Sequence, residues 1–380
     1  MRIAIVTHNV RRGDGQGRVN YEIARHLVAS GAEISLFADA IDTDLLDLGC
    51  KWCPIQPRVR TPMLLRVLEF VRRADCEIQK VDRPFDVIHA NGFTLTRPHH
   101  VNTAHMIHSA WEKCPWNRDR NVHPLRAAYH KLYTRLNTRW EAISYSNAKV
   151  VVAVSQQVKS ELLAITIGQG NIRVITNGVD LEEFAPGSLN RIELGLPPDV
   201  PLLLFVGDIQ TGLKNLETVL QAVKRNPKCH LAVVGRMGSS PFPRRAAMLG
   251  ISDRVHFLGF RKDIAALMRA VDLFVFPSRY ESFSLVLLEA MASGLPVITA
   301  RSVGAAELVT KDSGVVLEHP NDVEQLTSHI RHLLLNPDLR RRMGTCARSV
   351  AEQHSWERMA SAYAKTYEEA ASQTSRKNVC

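Results

Sequence analysis

Two glutamates, eight residues apart, stand in the most distinctive stretch of the sequence. Glu281 and Glu289 lie within PSRYESFSLVLLEAM, which follows the apolar run 273–276. On one helix rising about 1.5 Å per residue they would be about 12 Å apart, too far for an acid and a base acting on one bond. The spacing instead fits two carboxylates that bind hydroxyls at opposite ends of a long ligand, with an anion between them. A nucleoside diphosphate sugar has this layout of sugar, diphosphate and ribose.

Serines and a lysine near predicted helix starts supply the anion site that such a ligand needs. Ser282 and Ser284 can cap the N-terminus of the helix, where free backbone N–H groups bind anions. Lys214 precedes another predicted helix and can contact a phosphate as a point charge. The simpler alternative is that Glu281 interacts with the helix dipole while Glu289 and Lys214 are solvated. Glu289, however, is flanked by apolar residues, and a carboxylate there needs a partner.

Strand–turn–helix units repeat along the chain, which predicts parallel sheets covered by helices. The first series opens with a strand over 3–7 and a helix over 18–30, and the second with a strand over 202–207 and a helix over 215–225. Further strands are expected at 33–38, 86–90, 100–103, 149–154, 230–235, 255–258, 273–276 and 296–299. The Gly- and Pro-rich segment 177–201 predicts a linker. We therefore expect two doubly wound domains facing across a cleft, with ligands at the carboxyl ends of the strands.

Several stretches resemble the glycosyltransferases of family 4, retaining enzymes of GT-B fold that use nucleotide sugars. The resemblance keeps the order of elements through nearly the whole chain and includes PSRYESFSLVLLEAMASGLPVI, VVAVSQQVKSEL, IRVITNGVDLEEF, LLFVGDIQTGLKNL, LAVVG, DRVHFLGF and LLLNPDLRRRMGTCARSVAEQHSW. It implies an α/β protein of GT-B architecture with two Rossmann-like domains. It implies an acceptor-binding domain over 1–180 and a donor-binding domain over 190–355, followed by a last helix near 356–371 that packs back on the first domain.

The resemblance also implies roles for individual residues of the donor domain. Glu281 would bind hydroxyls of the transferred sugar, and Glu289 the ribose. The distal phosphate would be held by Lys214 and by the backbone N–H groups of Phe283, Ser284 and Leu285; the family often has glycine at the position of Ser284.

One donor-site position departs from the family pattern. Asp208 stands where the family usually has an arginine, and an acid cannot bind a phosphate. Either another cation, Arg279 or Arg236, substitutes for it, or Asp208 orients Lys214.

The first half would supply the acceptor side. VNTAHMIHSAW resembles the segment in which the family keeps a histidine at the anomeric centre, which points to His105, with His108 as the runner-up. In the loop RRGDGQGR, Gly15 and Gly17 would let the backbone approach the diphosphate or the acceptor. Arg18, at the end of this loop, is assigned with His108 to the acceptor side.

The mechanism that the resemblance implies is front-face departure of the nucleotide, whose diphosphate takes the acceptor's proton. Lys214 and the helix N-terminus at 283–285 would stabilise the developing charge. We expect no cofactor and no metal: the histidines 99, 100, 105 and 108 have no accompanying carboxylate. Cys50-Lys51-Trp52-Cys53 lacks the second ligand pair of a zinc site and is interpreted as two thiols in a loop.

The charge distribution is uneven. The chain has 48 basic and 38 acidic residues, a net charge of +10, most of it in residues 1–180. The segment 123–143 predicts a basic amphipathic helix with Leu125, Tyr129, Leu132, Leu136 and Ile143 near one face and Arg126, Lys131, Arg135 and Arg139 on others. Such a helix can lie on an anionic membrane or can be an ordinary surface helix. No recognition motif supports nucleic acid.

Composition limits the location and the class of the protein. The apolar content of 45% argues against disorder, and no run reaches the roughly 18 apolar residues of a spanning helix. With a short first strand in place of a signal peptide and an odd number of cysteines, we expect a cytoplasmic protein. Peripheral attachment to the inner face of the membrane is the further expectation that the basic first half raises.

The residues and the resemblance together favour a retaining, metal-independent hexosyltransferase. Its donor would be a UDP-sugar in preference to a GDP-sugar, and its acceptor an envelope, lipid-linked or polysaccharide glycan. The alternatives are a non-catalytic partner subunit with an altered phosphate site, as Asp208 would suggest, and a nucleotide-sugar epimerase.

Overall fold

A computed structural model describes residues 1–13, 15–114, 116, 124–165 and 171–377. The chain forms two compact units, one of Met1–Gly178 with Trp356–Cys380 and the other of Val179–Ser355. Each unit is built on one parallel sheet with helices packed against it. The predicted α/β class, with two Rossmann-like doubly wound sheets, is confirmed.

The first sheet has seven strands in the order β3-β2-β1-β4-β5-β6-β7, and the second has six in the order β10-β9-β8-β11-β12-β13. In both, the strand order reverses beside the first strand, as in a Rossmann fold. The strands are β1 (Arg2–Val10), β2 (Glu33–Ile41), β3 (Lys51–Pro54), β4 (Val87–Asn91), β5 (His99–Ala104), β6 (Ala148–Ala153), β7 (Ile172–Val174), β8 (Leu202–Val206), β9 (His230–Val234), β10 (Val255–Gly259), β11 (Leu273–Phe276), β12 (Val297–Ala300) and β13 (Gly314–Leu317).

Helices and strands mostly alternate along the chain, and the last helix belongs to the first unit. They are α1 (Gly15–Ala29), α2 (Asp44–Asp47), α3 (Met63–Gln79), α4 (His108–Lys113), α5 (Pro124–Ser146), α6 (Gln156–Leu163), α7 (Leu216–Lys224), α8 (Phe242–Met248), α9 (Ile264–Met268), α10 (Leu285–Ala292), α11 (Val323–Leu335), α12 (Pro337–Ala351) and α13 (Trp356–Lys377). Within the described residues, no helix is long and apolar enough to cross a membrane.

The central strands form where the sequence is continuously apolar. Residues 3–6 of β1 and 202–205 of β8 are fully buried, as expected for strands covered on both faces. The prediction missed β3, β7 and β13, which are short strands at the sheet edges. β3 and β7 have no such run, and the run of β13 is only four residues long. Cys53 therefore lies in β3 rather than in a loop, and Cys50 is buried just before that strand. Burial raises the pKa of the Cys50 thiol to about 11.

The segment predicted to be a linker is largely part of the second unit, which begins at Val179. Arg191 holds it there: its guanidinium donates to the carbonyls of Ala270 at 2.6 Å and Val200 at 2.7 Å and pairs with Asp272 at 2.9 Å. The sequence indicated a linker because the segment is rich in glycine and proline. Its ordered conformation depends on the contact between Arg191 and Ala270, which are 79 residues apart in the chain.

Buried polar groups join α13 to the first sheet. The imidazole of His89 lies 2.8 Å from the Thr103 hydroxyl and 2.7 Å from the Tyr367 hydroxyl, and Thr103 lies 3.1 Å from the Tyr363 hydroxyl. All four residues are almost completely buried. A buried polar network of this kind specifies one docking position, since any shift would leave its members without partners.

His89 gives rise to a pH prediction. Burial lowers its pKa to about 3, whereas the unfolded chain protonates it near a pH of about 6.5. The unfolded state therefore binds the additional proton, and this residue lowers the free energy of unfolding by about 1.4 kcal/mol between about pH 7.5 and about pH 5.5. We expect His89→Gln, which still offers hydrogen bonds but does not titrate, to weaken the pH dependence by that amount in urea unfolding.

The matched control is His332→Gln at an exposed position of α11, which should leave the wild-type pH dependence unchanged. If His89→Gln kept the full wild-type dependence, His89 would not be held neutral in the folded protein.

Candidate functional site

Glu281 lies in an extended segment before α10. Its N–H donates to the Ser302 carbonyl at 3.0 Å, and its carbonyl accepts from the Gly304 N–H at 2.9 Å. The helix begins only at Leu285. The predicted separation of about 12 Å from Glu289 assumed a single helix. That premise is wrong, because only the latter part of the stretch is helical.

Lys214 and Glu281 form an ion pair in which the side chains are 21% and 18% exposed. Lys214 ends the loop that follows β8, and Glu281 follows β11, the neighbouring strand. The lack of a side chain at Gly207 gives the Lys214 side chain the space it occupies. A Cβ at position 207 would lie 3.3 Å from Lys214 Cγ and 3.3 Å from the Phe276 ring. The fold thus brings together the residues predicted to bind the phosphate and the sugar.

A buried asparagine, which the sequence reasoning missed, positions this lysine. Asn215 is fully buried with a φ of 63°, a conformation that asparagine tolerates better than most residues. Its side-chain amide donates to the carbonyls of Pro277 at 3.0 Å and Pro320 at 2.6 Å, and its Oδ1 accepts from the Thr218 hydroxyl at 2.8 Å. The available signal was an asparagine between the lysine and an apolar helix, which is also typical of an ordinary cap.

Asp208 bonds with its own loop. Its carboxylate accepts from the Gln210 N–H at 2.9 Å and from the Thr211 hydroxyl at 3.3 Å. These contacts shape the turn after β8, a common role for an aspartate. The carboxylate that contacts Lys214 is Glu281.

The two arginines considered as substitute cations have different surroundings. Arg279 donates to the Gly212 carbonyl and, at 2.8 Å, to Asn321 Oδ1, so it braces the loop that carries Lys214. Burial lowers the pKa of Arg279 to about 10. Arg236 lies with its guanidinium 5.7 Å from the centre of the Phe260 ring, a cation–π distance.

Ser284 has an unusual backbone conformation, with φ 93° and ψ 92°. Its side chain accepts no hydrogen bond from α10, so the predicted capping role is wrong for this residue, because a capping side chain reaches the helix N–H groups from the extended region. Within the described part of the chain, its Oγ is buried and has no hydrogen-bond partner. A buried hydroxyl of this kind beside a helix N-terminus marks a place for a ligand oxygen.

The other residues of this segment frame the helix start. Phe283 is buried before it, Leu285 opens the helix and Glu289 is partly buried within it. The three N–H groups predicted to bind the distal phosphate therefore lie at one end of α10.

A cavity of about 520 Å³ opens at the carboxyl ends of β8, β9 and β10. Its walls combine backbone of two glycines, an aromatic ring, an aliphatic side chain and polar groups of both signs. The lining residues include Gly207, Asp208, Gln210, Gly235, Arg236, Phe260, Arg261 and Ile264. Sequence reasoning missed the last three, whose only signal was their position just after a predicted strand. A flat ring of a ligand would fit between these cavity walls.

In the first unit, His105 follows β5 directly, and its Nε2 lies 3.1 Å from Asn91 Oδ1. Since that oxygen only accepts, Nε2 carries the proton and Nδ1 remains an acceptor. Burial lowers the pKa of His105 to about 4, so the ring is neutral near pH 7. Among the described residues, Asn91 Nδ2 has no partner although it is buried.

His108 and Arg18 have partners within the first unit. His108 Nδ1 lies 2.7 Å from the buried carboxylate of Glu141, which also accepts from the His108 N–H at 3.0 Å. Arg18 pairs with the buried Glu22 at 2.7 Å, and its guanidinium lies 5.7 Å from the Trp356 ring. Both residues therefore carry structural contacts in addition to any role toward an acceptor.

Gly15 and Gly17 belong to the first turn of α1 rather than to a loop, because the helix begins three residues earlier than predicted. A Cβ at Gly15 would meet no other atom within 4 Å. Asp14 lies outside the described residues.

Of the four histidines considered as metal ligands, His99 and His100 bond with the backbone. His99 Nδ1 lies 2.8 Å from the Arg97 carbonyl, and His100 Nδ1 accepts from the Ile88 N–H at 3.1 Å. The expectation that no carboxylate accompanies the four histidines is wrong for His108, which contacts Glu141. Across the residues that the structure describes, no three His, Cys, Asp or Glu side chains are grouped to hold a metal ion.

Ser284→Gly tests the backbone of the anion site. A non-glycine residue at such a φ destabilises the folded state by about 1–3 kcal/mol. Glycine removes this strain, but its greater conformational freedom in the unfolded chain offsets about 0.5–1 kcal/mol of the gain. We expect the substitution to raise the free energy of unfolding by about 1 kcal/mol and the melting temperature by a few degrees. Ser282→Gly, where φ is not positive, should lower it; a destabilised Ser284→Gly would contradict the strained conformation.

Two family models match the sequence, one over each half. The model described as Glycosyltransferase Family 4 matches residues 13–183, and the model described as Glycosyl transferases group 1 matches residues 188–350.

Curated relatives match over part of their length. A D-inositol 3-phosphate glycosyltransferase of Corynebacterium jeikeium (strain K411) is 35% identical over 239 residues, covering 58% of this chain and 57% of that protein. A protein of the same name from Saccharomonospora viridis is 36% identical over 217 residues, covering 52% and 50%. The chain spans about half the length of these relatives.

Solved structures resemble the whole chain. A sucrose-phosphate synthase from Thermosynechococcus elongatus has a TM-score of 0.79 at 21% identity, covering 97% of this chain and 98% of that one. Anabaena Alr3699/HepE, solved in complex with UDP and glucose, has a TM-score of 0.74 at 21% identity, covering 97% and 99%. At this identity the likeness shows the GT-B fold. With a family model over each half and this fold, the chain belongs to the glycosyltransferases of family 4.

Proposed function

We propose that the protein transfers a hexose, with retention, from a nucleoside diphosphate sugar to an envelope, lipid-linked or polysaccharide glycan. The observation that carries the proposal is the ion pair of Lys214 and Glu281. In the proposal the lysine would bind a phosphate and the carboxylate would bind sugar hydroxyls. In this proposal the second unit binds the donor and the first unit the acceptor.

The donor would use three parts of the second unit. Its diphosphate would take over Lys214 and the N–H groups at 283–285, while the Ser284 hydroxyl would gain its missing partner. Glu281, released from the lysine, would accept hydrogen bonds from sugar hydroxyls, and Glu289 from the ribose. The base would occupy the cavity against Phe260 and Arg236.

Transfer by this route breaks the bond between the anomeric carbon and the leaving phosphate oxygen. The acceptor oxygen forms its bond on the same face and gives its proton to that phosphate. Lys214 and the end of α10 would stabilise the charge on the leaving group, a contribution made by preorganised donors. His105, neutral and with Nδ1 free to accept, would orient a sugar hydroxyl rather than supply charge.

The aspartate at position 208 makes Lys214 more important than in a site with an arginine. Asp208 adds a negative charge to the loop beside the proposed diphosphate. Of the two cavity arginines, Arg236 lies against Phe260 and Arg261 pairs with Asp263. Lys214 would therefore be the main side-chain charge on the phosphates. We place UDP-sugars before GDP-sugars because UDP is the nucleotide in the Anabaena structure. No metal and no cofactor other than the nucleotide sugar is needed for this route.

Lys214 and Glu281 should affect different measurements. A charge-assisted contact of this kind contributes about 1.5–3 kcal/mol, so Lys214→Ala should weaken UDP binding roughly 10- to 100-fold. Glu281→Gln should leave UDP binding unchanged or tighter, because it frees the lysine, yet it should reduce turnover at least about 100-fold, since it removes a contact to the reacting sugar. Calorimetric titration with UDP and nucleotide-release assays measure the two effects.

Lys224→Ala, at an exposed lysine of α7, is the matched control and should change neither quantity. Equal losses of UDP affinity in both site variants would argue against the division of roles.

The decisive experiment screens nucleotide sugars for nucleotide release in the presence of glycan, lipid-linked and inositol phosphate acceptors, and determines the product anomer by NMR. A new glycosidic bond with retained configuration supports the proposal. An inverted product would overturn the retaining mechanism, an epimerised free nucleotide sugar would favour an epimerase, and donor binding without turnover would favour a non-catalytic partner subunit.

A further inference from the structure

Helix α5 of the first unit exposes an apolar face. Leu125, Leu132 and Ile143 are 76%, 52% and 53% exposed. The same helix buries Glu141, Ser144 and Tyr145, so its exposed apolar side chains are not the side that anchors it. The apolar face predicted from the sequence thus points to solvent rather than to the core.

Cations flank this face, and the part of α5 that the structure describes contributes no exposed acid. Arg126, Lys131, Arg135 and Arg139 are exposed. Arg135 lies 3.8 Å from Glu112, while the other three have no acidic partner among the residues that the structure describes. The only acid of α5, Glu141, is buried against His108. The surface therefore carries uncompensated positive charge.

The first turn of α3 contacts α5. The Tyr129 hydroxyl of α5 accepts a hydrogen bond from the Leu64 N–H at 3.1 Å. Exposed apolar and basic side chains continue there. They are Met63, Leu65, Leu68, Arg58, Arg60 and Arg72.

The segment before α3 is held in place. Glu69 accepts from the Val59 N–H at 2.8 Å and from Arg73 at 2.9 Å. Arg58 and Arg60, which flank Val59, are thereby kept beside the helix. Glu69, the acid in the first turns of α3, is thus engaged in internal contacts, and the exposed side of this segment is basic.

We propose that this α3–α5 surface docks the protein on an anionic lipid bilayer. Six exposed apolar side chains are interspersed with seven exposed cations, six of which lack an ion-pair partner among the described residues. Apolar side chains inserted at the headgroup boundary and cations above it are the two components of interfacial binding. The proposal goes beyond the transfer reaction and does not depend on it.

A nucleic acid fits this surface less well. Phosphate backbones are recognised by cations and polar groups, and they would leave Leu125 and Leu132 in water. A bilayer satisfies both sets of side chains at once. Binding to a lipid surface should therefore depend on Leu125 and Leu132, whereas binding to a purely electrostatic partner should not.

The test is co-sedimentation of the full chain with vesicles of phosphatidylcholine alone or with about one third phosphatidylglycerol, at low ionic strength. We expect binding only to the anionic vesicles. One cation near such a surface changes partitioning roughly fivefold, so R126Q/K131Q/R139Q should weaken binding on the order of a hundredfold. L125S/L132S should weaken it roughly tenfold or more at unchanged charge.

The matched controls lie on exposed positions of the second unit: L335S with M248S, and K224Q/K228Q/R342Q. Both should bind as the wild type does, and UDP titration shows that every variant is folded. Equal losses in the control variants, or wild-type binding by L125S/L132S, would overturn the lipid surface. Absence of vesicle binding in a protein that still binds UDP would overturn it while leaving the proposed transfer intact.

Discussion

A buried asparagine determines whether the proposed donor site can exist. Asn215 ties the loop after β8 to the segment after β11 through Pro277 and to Pro320 beyond β13. The residue before it is Lys214, and four residues after Pro277 comes Glu281, so the amide sets the distance between the two charged groups. Because the amide is buried, any other arrangement would leave a donor unsatisfied.

The electrostatics of the site follow from neighbouring carboxylates. Lys214 has Glu281 as its partner, and Asp208 bonds to its own turn. In the proposed reaction a diphosphate would displace Glu281 from Lys214. His105 is neutral through burial and lies 3.1 Å from Asn91 Oδ1, so its proposed role is a polar contact rather than a charge.

The basic excess of the first half has a location in the fold. Part of it lies on α5, which has four basic residues and one acid, and part in Arg58 and Arg60 before α3. Glu141 of α5 is turned inward to bind the N–H group and the ring of His108. The donor half is nearly neutral by comparison. The net charge is thus informative about what the first unit contacts, and not about the nucleotide.

The sequence by itself determined the two doubly wound sheets, because long buried strands require continuous apolar runs. The family resemblance assigned Lys214 and Glu281 to one ligand, but their direct contact was not predicted. The sequence did not determine the short edge strands, which lack long runs of this kind, or the left-handed conformation of Ser284, which depends on neighbouring chain rather than on serine. Only the tertiary structure decided that Asn215 bonds to Pro277 and Pro320, that Phe260 lines a cavity and that Leu125 is exposed. Each depends on which distant segments meet, and local periodicity does not encode this.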